Sequence, residues 1–186
     1  MYNFLKFFGM KTVLLFLIIL NMVFTGTSQE EGYDHYLLKA SLPKWAIKGI
    51  SNLEANRVYR ISDFINPFYF EGDFNGDDNL DIAVAIVEKK TNKTGILFYH
   101  GETHHHFIIG AGQKFDDYCD HFNWMDIWKV FRGPTMQEMY IDKEKNIPTR
   151  REIQLTSPAI YAVKFESSAK LIYWDGQSYQ CAHVGD

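Results

Sequence analysis

The chain lacks the short motifs that most often announce an enzyme. It has no glycine-rich phosphate loop, no dinucleotide-binding glycine pattern and no nucleophile elbow. It has no excess of basic charge either. Lys and Arg number 19 against 23 Asp and Glu, a balance that disfavours non-specific binding to nucleic acid or to an anionic membrane. Cysteines are limited to Cys119 and Cys181. No internal repeat is found, which excludes a propeller assembled from several similar blades. The one long apolar run, Thr12 to Leu20, is broken by Asn21 and is short for a span of about 20 residues.

That run has the features of an export signal. Lys6 and Lys11 precede it, and Gly26-Thr27-Ser28 supply the small residues that a signal peptidase needs. Residues 1–28 are therefore expected to be a signal peptide cleaved after Ser28, with a membrane anchor as the rival reading. No cysteine lies near the cleavage point, so lipoprotein attachment is not expected. Residues 29–186 are expected to form a single globular domain, periplasmic or extracellular, with no stable membrane insertion after cleavage. Residues 1–28 hold two basic residues and no acids, which leaves 17 basic against 23 acidic residues in the remainder. In an exported protein, Cys119 and Cys181 read as a disulfide, the alternative being two separate buried thiols.

The most informative stretch is Gly72-Asp73-Phe74-Asn75-Gly76-Asp77-Asp78-Asn79-Leu80-Asp81. Oxygen-bearing side chains recur at Asp73, Asn75, Asp77 and Asp81, and Asn79 can offer its backbone carbonyl. Ca²⁺ takes six to eight oxygen ligands, and alternate positions of a turning loop can converge on one point. Three carboxylates this close would otherwise repel one another. The expected metal ligands are thus Asp73, Asn75, Asp77, Asn79 and Asp81, the expected cofactor is a structural Ca²⁺, and the alternative is an acidic, solvated turn. An EF-hand does not fit: its twelfth position is Val84 in place of a bidentate Glu, and Ile82 to Val87 reads as a strand where a helix should follow.

The pattern resembles the calcium loop of FG-GAP and VCBS-type repeats, Asp-x-Asp/Asn-x-Asp-Gly-x-x-Asp followed by an apolar strand, matched here at Asp73, Asn75, Asp77 and Asp81. Where those repeats carry glycine at the sixth position this chain has Asp78, a residue that tolerates the positive φ such a position needs. More widely, residues 72–77, Phe-Asn-Trp-Met-Asp-Ile-Trp-Lys-Val at 122–130, Leu-Ile-Tyr-Trp-Asp-Gly at 171–176 and the terminal Gly185-Asp186 resemble a group of small exported bacterial proteins. That resemblance implies one domain and brings no activity with it.

The expected fold class is α+β, a mainly antiparallel β-sheet with short N-terminal helices and one calcium-type loop. A helix is expected over 36–42, stopped by Pro43, and a helix or strand between Arg57 and Ile65. Strands are expected at 82–87, 95–100, 104–109, 159–165, 170–174 and 178–182. Both faces of 82–87 are apolar, which places that strand centrally in the sheet. Apolar positions 115, 118, 122 and 125 have helical spacing, 128–131 reads as extended, and 133–151 reads as an exposed excursion.

Three other groups of residues carry chemistry. His104, His106 and His100 could share a hairpin face for a transition metal. Asp116, Asp117, Asp120 and His121 could supply a general acid and base. Trp124, Trp128, Tyr173, Trp174 and Tyr179 could line a groove for a protein or carbohydrate ligand, or could be core. The preferred reading is a non-enzymatic exported calcium-binding domain with a binding or interaction role. The alternatives are a small periplasmic hydrolase and an inhibitor or immunity-type partner of a secreted enzyme.

Overall fold

A computed structural model describes residues 36–115, 120–142 and 144–185. The expected signal peptide and the Cys119 half of the expected disulfide lie outside these residues. The chain divides into two compact units, Met1–Ala40 and Ser41–Asp186. Of the first, residues 36–40 are helical. No helix among the described residues is long and apolar enough to cross a membrane.

The second unit opens with helix α1 (Lys44–Ser51), whose N-cap is Pro43. Proline suits a helix start because it is fixed near helical φ and has no N–H to leave unsatisfied. Ala46 and Ile50, four residues apart, form the buried face. A 3-10 turn over Glu54–Arg57 leads into β1 (Tyr59–Ile61). Then come β2 (Tyr69–Gly72), β3 (Asp81–Glu88), β4 (Thr94–Tyr99) and β5 (His106–Gly110). All pair antiparallel, with β4 and then β5 on one side of β3. The other edge of β3 is shared: β2 pairs with residues 81–84 and β1 with residues 86–88. β3 is central, and its residues Ile82 to Val87 are all buried.

A second antiparallel sheet has the order β11-β10-β9-β6, from β6 (Ile127–Phe131), β9 (Ala159–Lys164), β10 (Ser168–Trp174) and β11 (Tyr179–Gly185). Between β6 and β9 the chain makes a separate two-stranded ribbon, β7 (Thr135–Asp142) with β8 (Ile147–Gln154). The unit is mainly β and antiparallel. In place of one sheet, the described residues form three.

The first two sheets share one core. Ala83, Ala85, Ile96, Phe98 and Ile109 come from one, and Trp128, Ile160, Ala162, Ile172 and Tyr179 from the other. Phe98 stacks on Tyr179, with ring centroids 3.9 Å apart and planes at 20°. The opposite face of β3 and β4 carries Ile82, Val84, Leu97 and Tyr99, and α1 packs at Tyr99: a Cβ on Gly49 would lie 1.9 Å from the Tyr99 hydroxyl. This two-sided burial is why the strand reads as apolar on both faces.

The helical reading of 115–125 is corrected where it can be followed. Residues 120–126 are irregular. Phe122 and Met125 are buried in the core, which produces the helix-like spacing. The segment is tied to β4, with the Phe122 N–H donating to the Thr94 carbonyl and Asn123 Oδ1 accepting from the Thr94 N–H. The 133–151 stretch is exposed over much of its length, as expected, but it is an ordered ribbon.

Candidate metal centre

Residues 73–80 connect β2 to β3, and the turn is made at Gly76 (φ 78) and Asp78 (φ 65). The positive φ expected at position 78 is thus adopted. Asp73 sits inside the turn as an acceptor: Oδ1 takes the N–H groups of Gly76 (2.7 Å) and Asp77 (3.0 Å), and Oδ2 takes that of Asp78 (2.9 Å). Asn75 Oδ1 accepts from the Asp77 N–H at 3.0 Å, while its Nδ2 donates to Asp77 Oδ2 at 2.8 Å. Asp77 Oδ1 takes the N–H of Asn79 at 2.8 Å, and the Asn79 side-chain amide donates to the Asp77 carbonyl. The Asn75 amide, first among several contacts, holds the Asp77 carboxyl below its ordinary range.

Asp81, the first residue of β3, is different: it is fully buried. Its Oδ2 accepts from the N–H groups of Phe74 (2.9 Å) and Asn75 (3.2 Å), and its Oδ1 from that of Gly101 (3.1 Å). One carboxylate therefore ties the entry of the loop to the turn after β4. Gly101 permits the approach, since a Cβ there would lie 2.2 Å from the Leu80 carbonyl oxygen. Burial raises the Asp81 pKa to about 6; the three N–H groups oppose the rise and the charge of Asp77 adds to it.

His100 and Ser157 hold the loop from outside, and Tyr179 backs His100. His100 is buried, with Nδ1 3.2 Å from Asn75 Nδ2 and Nε2 2.9 Å from the Tyr179 hydroxyl. Ser157 Oγ donates to the Phe74 carbonyl at 3.0 Å. Tyr179, in β11, has its pKa raised by burial and then by the charges of Asp81, Asp73 and Asp77. Sequence reading missed Tyr179 and Ser157 as parts of this site and placed His100 in another. His100 and Ser157 reach the loop from distant segments and Tyr179 meets it through His100, so no local pattern could mark them.

The five expected ligands thus share one loop, and hydrogen bonds join Asp73, Asn75, Asp77 and Asn79. Their oxygens face mainly backbone N–H groups. Among the described residues no three His, Cys, Asp or Glu side chains converge as a metal-holding group in this arrangement. A carboxylate oxygen has two lone pairs, however, so one that accepts a single N–H keeps capacity for a cation.

The other groups separate. His104 Nδ1 lies 3.0 Å from the Tyr99 hydroxyl and its ring stacks on Tyr99, while His106 is exposed at the start of β5. Asp116 and Asp117 lie outside the described residues. Asp120 is half-buried and paired with Lys93, whose hydrogen bond holds its carboxyl below the usual range, which suits an ion-pair partner better than a general acid. Trp128 and Tyr179 are core, and Trp174 packs edge-on against His100, Phe107 and Tyr179. No family model, curated protein or solved structure matches the chain.

Proposed function

We propose that the protein is an exported domain in which residues 73–81 bind one structural Ca²⁺, in the manner of FG-GAP and VCBS-type loops, and that its role is binding or interaction, not catalysis. Asp73, Asn75, Asp77, Asn79 and Asp81 are the proposed ligands. The observation that carries the reading is Asp81. Its carboxylate is fully buried at the base of a loop that holds three more carboxylates, Asp73, Asp77 and Asp78, and its pKa is raised by burial and by Asp77. A divalent cation would relieve that unfavourable concentration of negative charge, and the five proposed ligands can each offer an oxygen of the kind Ca²⁺ prefers. The test is thermal unfolding of residues 29–186 in Ca²⁺ and in chelator. Wild type is expected to melt several degrees higher with millimolar Ca²⁺, and Asp77→Ala to show no such difference. An unchanged wild-type melting temperature would leave the loop as an acidic turn.

The interaction role draws on the β7–β8 ribbon. Tyr140, Ile141 and Ile147 are exposed toward its tip. Gln137, Met139 and Arg150 of the ribbon border a cleft of about 340 Å³ with Val184 and Gly185 of β11. A protein partner, as in the inhibitor or immunity reading, would use this surface. Stoichiometric co-purification with a partner, lost in the double variant Ile141→Ser/Ile147→Ser, is the outcome that would support it.

A further inference from the structure

We propose that His100 is a positioning residue for the metal loop: its Nδ1 lone pair holds the Asn75 amide so that Oδ1, not Nδ2, faces the loop interior. The inference rests on the calcium reading above. Asn75 is the one neutral side chain among the oxygen donors at 73, 75, 77 and 81, and an amide can present either oxygen or nitrogen to a cation. Only the oxygen is a ligand for Ca²⁺.

The hydrogen bonds settle which way the amide points. Asn75 Oδ1 takes the Asp77 N–H, and Nδ2 lies 2.8 Å from Asp77 Oδ2 and 3.2 Å from His100 Nδ1. Turning the amide over would set N–H against N–H and oxygen against carboxylate. Because Nδ2 is a donor, His100 Nδ1 must be an acceptor, and the ring proton then lies on Nε2 and is donated to the Tyr179 hydroxyl at 2.9 Å. The ring cannot easily turn. It is buried, with centroid distances of 5.1 Å to Phe107, 5.3 Å to Trp174 and 5.9 Å to Tyr179. Groups that orient a metal ligand from behind contribute strongly to affinity, their loss costing roughly 10–100-fold.

Two variants divide the roles of the two ring nitrogens. In His100→Asn the side-chain oxygen stands close to the position of Nδ1 and can still accept from Asn75. In His100→Gln the amide extends toward Tyr179 and leaves Asn75 without its acceptor. Calorimetric titration of residues 29–186 with CaCl₂ is expected to show Kd raised about 10-fold in His100→Gln and changed less than about 3-fold in His100→Asn. A purely structural histidine would lower the melting temperature in both variants and leave the two Kd values equal, which would overturn the proposal. Absence of Ca²⁺ binding by wild type would overturn the calcium reading first and this inference with it. The ¹⁵N imidazole shifts of wild-type His100 give a test that needs neither variant to fold: an Nε2–H tautomer is expected, and an Nδ1–H tautomer refutes the assignment.

Discussion

Asp81 illustrates how one buried carboxylate can both fasten a fold and strain it. Its oxygens satisfy three backbone N–H groups, yet burial wins and its pKa rises to about 6 from an ordinary value of 3.8. The folded state therefore holds the proton more tightly than the unfolded chain. Where the native state binds more protons, stability falls as pH rises. This group's share of stability is fully present below pH 4 and is lost as pH climbs through about 6, a change on the order of 3 kcal/mol. Urea unfolding in chelator at pH 4 and pH 7 should show the loss in wild type. Asp81→Asn cannot ionise and should lack this loss, so the stability difference between the two proteins should change by that amount between pH 4 and pH 7. Excess Ca²⁺ should cancel the fall in wild type, because a cation favours the ionised form. That residues 73–81 form an acidic turn was legible from residue types alone. The burial of Asp81 was not, because it depends on Gly101, twenty residues away, closing over it.

At the scale of elements, α1 shows where a local rule stopped short. Pro43 reads correctly as the end of the helical stretch before it, but it also starts α1. Gly49 has a similar double meaning. Within a helix, replacing glycine by alanine ordinarily gains about 1 kcal/mol. Here the new methyl would meet the Tyr99 ring at 1.9–2.7 Å, and overpacking of this kind costs about 1–3 kcal/mol. Gly49→Ala is thus expected to lower the melting temperature against the helix-propensity trend. A rise would mean that α1 slides freely over β4. The strands were more readable than the helices, because alternation and runs of β-branched residues are local signals: β3, β4, β9 and β10 lie within two residues of their expected bounds. The irregular segment 120–126 misled because two core residues three apart look alike in a helix and in a loop that dips inward twice.

Across the whole second unit, the partition into two packed sheets and a ribbon was not legible. Strand pairing is set by contacts between residues far apart in sequence, and no periodicity within a strand names its partner. The same holds for the walls of the loop at residues 73–81. Ser157 meets Phe74 across 83 residues and Tyr179 meets His100 across 79. Such distances have a consequence in time. Contacts that must close a long loop of chain are gained late, and interactions absent from the folding transition state govern escape from the native state more than arrival in it. Ser157→Ala, which deletes one hydrogen bond worth about 1 kcal/mol, should therefore speed unfolding roughly 5-fold in a stopped-flow chevron while leaving the refolding limb unmoved. A slowed refolding limb would place this seam early in folding. If the refolding limb stays unmoved, a cation seated in the loop would act on how long each folded molecule survives, and hardly at all on how quickly it forms.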